Sequence, residues 1–314
     1  MHKRIIAFVL ICLLVIAAQP LQPQAAPAVS AQQAVLLDAK SGRVLYEKAA
    51  HEKRPIASIT KIMTAILAIE SGKMDDMVTT SRKAIYTEGS SIYLEQGEKM
   101  KLEDLIYGLM LRSGNDAAIA ISEHVAGSEE GFVYLMNEKA RWLGMTNTSF
   151  ANPHGLDEEN HYSTAYDMAL LMQYAMQNKV FSKVSNTEMY RAKTRSYSWL
   201  NKNKLLTSYY KYCTGGKTGF TKISGRTLVS TAHVDGKDLI AVTLRAPDDW
   251  NDHIQLFEYG FQTLEDQALE EKGQTSASPS KDTQLDSKNQ IHTWREVILE
   301  VMSKITGVDL PWSI

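Results

Sequence analysis

The spacing of apolar positions divides the chain into stretches of different texture. Ala34–Asp38 and Arg43–Glu47 are short strand-like runs joined by Ala39-Lys40-Ser41-Gly42, whose turn chemistry predicts a hairpin. From Ser58 to Ile69 the period changes: Ile59, Ile62, Met63, Ile66 and Leu67 form a stripe at helical spacing, and the run stops near Gly72. Helical periodicity recurs over Glu103–Leu111, Asp116–Val125, Gly131–Leu143 and Thr164–Gln177. The texture turns β-rich at Gly215–Thr221, Thr227–Val234 and Leu239–Arg245, with Asp235-Gly236 as a hairpin turn, before Asp249–Thr263 returns to helix. Early strands, a helical middle and late strands predict an α+β domain. An antiparallel sheet is built from both ends of that domain, and helices pack on it.

The two ends differ from this middle. His2, Lys3 and Arg4 precede the apolar run Ile5–Ala18, which is shorter than the roughly 20 residues of a spanning helix and reads as an export signal. Val29-Ser30-Ala31 fits a cleavage site, giving a signal over 1–31; cutting after Ala25 or Ala26 is the alternative. Cys12, preceded by Ile11, belongs to that signal and not to a lipid anchor. The predicted catalytic domain spans 32–268. A polar linker follows over 269–291, and then a C-terminal amphipathic helix over 292–314 with Trp294, Val297, Ile298, Val301 and Ile305 on one face. That helix fits either peripheral membrane contact or docking on a protein surface.

Composition narrows the partners. With 44% apolar and 22% charged residues among 314, and a formal net charge of -2, the chain is ordinarily globular and lacks the basic excess of a nucleic-acid binder. Once a signal is removed, Cys213 is the remaining cysteine, so an internal disulfide is excluded. Its proximity to Lys217 makes it a position where alkylation would perturb the neighbourhood, although small core filler is its simpler role.

Three short patterns carry chemistry. Ser58-Ile59-Thr60-Lys61 puts a hydroxyl and an amine three residues apart on one helix face, with Ser58 at the helix start. A serine needs a base to become nucleophilic, and a lysine serves only if its pKa falls by several units, roughly 4–5 kcal/mol of environment. Ser113-Gly114-Asn115 falls in an interhelical turn, where a second hydroxyl and an amide can relay a proton and orient a peptide. Gly216-Lys217-Thr218-Gly219 lies on a strand, where Lys217 and Thr218 can hold a carboxylate and Gly219 permits close approach of a substrate. Each alone has a commonplace structural reading, such as an N-cap serine or a helix stop. A phosphate loop is excluded because Lys211 stands where its first glycine is required. There is no Gly-x-Ser-x-Gly or His-Glu-x-x-His pattern. His51, His154 and His161 lack metal-ligand spacing, and His154 and Asn152 read as structural, so neither metal nor organic cofactor is called for.

In this order and context, the three patterns resemble those of the penicillin-recognising serine enzymes. With ASITKIMTA, LRSGNDAA, Asn152–Leu156 (NPHGL) and GGKTGFT, the chain resembles the low-molecular-mass D-alanyl-D-alanine carboxypeptidases over about residues 32–265, and within them the sporulation-associated members. The resemblance implies a five-stranded antiparallel sheet flanked by helices, with a helical subdomain as the other wall of a cleft. It implies Ser58 as acylated nucleophile, Lys61 as base, Ser113 and Asn115 lining the cleft, and Lys217 with Thr218 on the terminal carboxylate. The backbone N–H groups of Ser58 and Phe220 complete the expectation as an oxyanion hole. Stem peptides of peptidoglycan ending in D-Ala-D-Ala, and β-lactam antibiotics as their mimics, are the implied ligands of an exported enzyme. An endopeptidase cutting D-alanyl crosslinks, or a sensor that acylates without turnover, would use the same residues. A β-lactamase fits less well, because Glu158-Glu159-Asn160 lacks the Glu-x-x-x-Asn spacing of that class. Two departures stand out. The residues after the catalytic domain are too few and too polar for the β-rich second domain of many relatives. Arg245, near where some relatives place a carboxylate-binding arginine, reads better as a solvated strand end.

Overall fold

A computed structural model describes residues 25–274, with side chains through Leu269. β1 (Gln33–Asp38) and β2 (Val44–Lys48) form the predicted hairpin, and α1 (Lys61–Glu70) follows it. The helical middle comprises α2 (Arg82–Ile85), α3 (Leu102–Tyr107), α4 (Asn115–Ala126), α5 (Glu129–Trp142), α6 (Ala165–Gln177) and α7 (Lys179–Ser185). Two small antiparallel ribbons decorate it: β3 (Met77–Thr79) with β4 (Lys99–Lys101), and β5 (Met189–Tyr190) with β6 (Trp199–Leu200). β7 (Cys213–Thr221), β8 (Gly225–Val234) and β9 (Lys237–Leu244) complete the main sheet, and α8 (Asp249–Gln274) closes the described fold.

The sheet has five strands in the order β2-β1-β9-β8-β7, all antiparallel. Its centre joins the two ends of the domain, with Gln33 opposite Leu244 and Asp38 opposite Leu239. Both faces are covered. Val35, Leu37, Val229, Ile240 and Val242 face the helical middle, while Leu36, Leu228, Leu239 and Ala241 face Leu256, Phe257 and Phe261 of α8. This explains why the strands read as near-continuous apolar runs instead of alternating ones.

Several element boundaries differ from the pattern-based expectation. The α-helix begins at Lys61, because Ala57–Thr60 form a 3₁₀ turn in front of it. The helix after Leu102 loosens into a π-helical turn over Gly108–Arg112. α8 continues past Thr263 into the predicted linker, because Leu264 still packs against the sheet cluster and the residues beyond it are good helix formers. The ribbons, α2 and α7 escaped prediction, being too short to establish a period. Val29 and Ala31, at the end of the predicted signal, are buried. Ser30 and Ala31 also donate their backbone N–H groups to the Asp252 carboxylate at 2.7 and 2.9 Å. The signal up to residue 24, the linker beyond Gln274 and the C-terminal helix lie outside the described residues.

Candidate functional site

The site forms where the turn before α1 meets the free edge of β7 on one side and the α3–α4 junction on the other. Ala57 adopts φ 51, a left-handed conformation unusual for a residue with a Cβ, and this kink lifts Ser58 out of the packed turn. Ile59 and Thr60 on either side of the bend stay buried, while Ser58 remains partly accessible.

Lys61 is wholly buried, and its Nζ donates to three acceptors: Ser58 Oγ at 3.0 Å, Asn115 Oδ1 at 2.7 Å and the His154 carbonyl. Burial holds this amine well below the ordinary lysine range, and the charges of Lys217 and Lys202 push it down further. Asp116 opposes them, but this buried carboxylate is already engaged by Ser91 Oγ and the backbone N–H groups of Ile92, Leu94 and Ala117. A neutral amine has two N–H groups and one lone pair. Asn115 Oδ1 and the His154 carbonyl can take the two hydrogens, which leaves the lone pair for the Ser58 hydroxyl.

Ser113 ends the π-helical turn with φ 65, and its hydroxyl accepts from Lys217 Nζ at 3.1 Å. Asn115 opens α4, its backbone N–H held by the Ser90 carbonyl at 2.7 Å. The α3–α4 junction is thus tied to α1 by Lys61–Asn115 and to the sheet by Lys217–Ser113. Lys217 is also fully buried; burial and the charge of Lys202 push it down to about 7. Its Nζ additionally donates to the Thr218 carbonyl at 2.9 Å. Thr218 itself is partly exposed beside it.

Gly219 also has a reason that its sequence did not suggest. A Cβ there would meet Thr227 Oγ1 at 2.4 Å and the backbone nitrogen of Ser58 at 2.9 Å. The close approach that it permits is therefore that of the chain's own Ser58 turn. β7 is an edge strand, and its N–H groups alternate in direction. Thr221 N–H turns inward to Ser224 Oγ and Gly216 N–H turns outward to Ser185 Oγ, so the N–H groups of Thr218 and Phe220 face the cleft. The Phe220 side chain is 66% exposed at the rim.

Sequence reasoning missed three contributors. Asn152–Leu156 supports the site through backbone, not side chains: besides the His154 carbonyl on Lys61, the Pro153 carbonyl accepts from Thr64 Oγ1 at 2.6 Å. Ala151 N–H donates to His161 Nδ1 at 3.1 Å, so His161 Nε2 carries the proton and donates to Thr60 Oγ1 at 2.8 Å. Thr60 in turn donates to the Ala57 carbonyl, which fixes the kink. Burial keeps both rings neutral, pushing His154 down to about 3 and His161 to about 4, with the Lys61 charge adding to each. The other two are Asp116, which shapes the 88–94 segment, and Lys202, whose charge acts on both site lysines; Asp116 falls inside the LRSGNDAA run without its role being legible there, and Lys202 sits in no recognisable pattern. Cys213 is buried with its thiol pushed up to about 11 by burial, so it is filler and inert to alkylation at neutral pH. Arg245 is exposed just past β9 at φ 49, against Gly225 at the start of β8. Among the described residues no cluster of acidic, histidine or cysteine side chains could hold a metal ion.

Comparison with known proteins places this arrangement. The family described as D-alanyl-D-alanine carboxypeptidase matches residues 20–248. The D-alanyl-D-alanine carboxypeptidase DacF of Bacillus subtilis is 39% identical over 257 residues, 79% of this chain and 66% of its own length. DacC of Escherichia coli is 39% identical over 76% of this chain and 63% of its own length. The chain therefore spans just under two thirds of these two relatives. The D-alanyl-D-alanine carboxypeptidase of Streptomyces sp. K15 is 33% identical over 75% of this chain and 88% of its own length. Among solved structures, the D-alanyl-D-alanine carboxypeptidase of Mycobacterium tuberculosis H37Rv superposes with a TM-score of 0.73 at 29% identity, covering 78% of this chain and 96% of that one. A mutant of the Streptomyces K15 DD-transpeptidase gives 0.70 at 33% identity, covering 75% and 99%.

Proposed function

Because this chain belongs to the D-alanyl-D-alanine carboxypeptidase family, we propose that it removes the terminal D-alanine from peptidoglycan stem peptides through an ester on Ser58. The observation that carries the reading is the buried Lys61 amine, 3.0 Å from Ser58 Oγ, with its remaining hydrogens directed at fixed acceptors. Lys217 and Thr218 hold the substrate's C-terminal carboxylate. Ser58 Oγ attacks the penultimate carbonyl carbon while its proton passes to Lys61 Nζ, and the developing oxyanion lies between the N–H groups of Ser58 and Phe220. The C–N bond breaks as the proton taken up by Lys61 is returned to the leaving amine by way of the Ser113 hydroxyl, which gives up one proton as it receives another and stays hydrogen-bonded to Lys217. Water then hydrolyses the ester. A β-lactam presents a similar carbonyl and carboxylate and acylates the same serine. Release of free D-alanine from an acyl tripeptide ending in D-Ala-D-Ala tests the reading. Its absence, with β-lactam labelling intact, would replace hydrolysis by a sensor role or by cleavage of crosslinks.

Lys202 supplies a pH prediction. Lys61 must be neutral to accept a proton, and the Lys202 charge lowers its pKa. Lys202→Met therefore raises that pKa and shrinks the neutral fraction at any given pH. The acid limb of the β-lactam acylation rate should move to higher pH, with activity recovering in alkali. An unshifted limb in stopped-flow profiles would mean that Lys202 does not act on Lys61.

The same reading places the enzyme outside the cytoplasm, behind the signal read from residues 1–31. The burial of Val29 and Ala31 and the bonds to Asp252 favour cleavage after Ala25 or Ala26, which leaves these contacts in place. No helix among the described residues is long and apolar enough to cross a membrane. The amphipathic pattern of residues 292–314 is the feature of the chain suited to peripheral membrane contact.

A further inference from the structure

Beside the cleft, between the 88–94 segment and the 197–202 segment, lies a cavity of about 260 Å³ whose walls include Ser90, Tyr93, Arg112, Tyr197, Trp199 and Lys202. It adjoins the proposed site directly: Lys202 Nζ donates to Ser90 Oγ at 3.1 Å, and the Ser90 carbonyl holds the backbone of Asn115. The polar side chains in its walls are chiefly donors. Arg112 bonds only a backbone carbonyl, that of Leu200, and Lys202 only a hydroxyl. Neither has a carboxylate partner among the described residues, and partial burial together with the Arg112 charge lowers the Lys202 pKa. Trp199 is buried, and its indole N–H finds no acceptor among the described residues. Tyr93, held at φ 61 and 78% exposed, and the half-exposed Tyr197 give the cavity an aromatic rim.

Arg112 and the exposed Lys202 thus set two cations without a carboxylate partner at the mouth of one hollow, which raises its potential and favours an anion there. The substrate's terminal carboxylate is already assigned to Lys217 and Thr218. We propose that this cavity is a second carboxylate subsite, taking an acidic group on the acyl portion of the stem peptide, such as the side-chain carboxylate of its third residue. Arg112 and Lys202 are its positioning residues, and the subsite makes the enzyme selective for stems with an acidic third side chain over neutral ones. This inference rests on the carboxypeptidase reading.

The test compares two acyl tripeptides, X-D-Ala-D-Ala, with 2-aminopimelate or norleucine at X, on the full chain and on Arg112→Met and Lys202→Met. The quantity read is the ratio of kcat/KM values, which cancels any general effect of a variant on Ser58 chemistry. A charge-assisted contact predicts a preference of about tenfold or more for the acidic peptide. That preference should fall below about twofold in either variant and weaken with salt. Equal D-alanine release from both peptides by the wild type, or a preference unchanged in both variants, overturns the subsite and leaves the carboxypeptidase standing. No release from either peptide sinks the carboxypeptidase reading itself. In that case, acylation of Ser58 by benzylpenicillin and its α-carboxylated counterpart decides the subsite by the same ratio.

Discussion

Lys61→Met should slow acylation of Ser58 by about a thousandfold or more, and Ser58→Ala should abolish it. General-base assistance is worth roughly 10²–10⁴ in rate, and here the base also orders the site. Its Nζ links the Ser58 turn to Asn115 of α4 and to the His154 carbonyl, so methionine removes the proton acceptor and leaves both acceptors without a donor. The two variants are separable by measurement. Lys61→Met keeps the hydroxyl, so prolonged exposure to a reactive β-lactam still gives a covalent adduct of the expected mass. Ser58→Ala gives none at any time. An adduct on Ser58→Ala would place the nucleophile elsewhere, and a Lys61→Met variant acylating within tenfold of wild type would remove Lys61 as the base.

Gly155→Ala should destabilise the protein by about 3 kcal/mol or more and impair acylation with it. Gly155 has φ 89, and a Cβ there would lie 2.0 Å from the Ala57 carbonyl oxygen. Both a left-handed conformation and a backbone clash must be relieved, and strained positions of this kind cost of order 1–3 kcal/mol each. Relief means parting Asn152–Leu156 from the kinked turn, which would draw the His154 carbonyl away from Lys61 and loosen the Thr60–Ala57 bond. Urea unfolding at pH 7 and a β-lactam acylation rate check the two effects together. A loss below about 1 kcal/mol with an unchanged rate would show that the loop does not brace the nucleophile.

The sequence carried the strong periodicities and the three short patterns, and the fold brings those patterns together. It did not carry the contributions made through backbone. The His154 carbonyl on Lys61 has no side-chain signature, and the His154 ring misdirects attention toward its own chemistry. Gly219 was legible as a close-approach position but not for what approaches it, because contact between β7 and the Ser58 turn joins residues far apart in the chain. Asp116 and Lys202 were invisible for a related reason. Asp116 acts by gathering the backbone N–H groups of the 88–94 segment and Lys202 by its charge on Lys61 and Lys217, and no local spacing records either role.

The pairing of β1 with β9 also bears on how the molecule forms. Residues 33–38 find their central partner only in 239–244, and loop closure over such a separation is slow compared with local helix formation. While the chain is being made, β1 and β2 can pair with each other, and the helical middle can collapse. β7 and β8 have no connection to that first hairpin until β9 is inserted between them. Lys217, carried on β7, meets Ser113 of the helical middle only when the sheet is completed, and its charge then adds to those that lower the Lys61 pKa. An incomplete chain would therefore lack the carboxylate-holding wall of the cleft and part of the field that keeps Lys61 neutral, and reactivity would switch on with completion of the sheet.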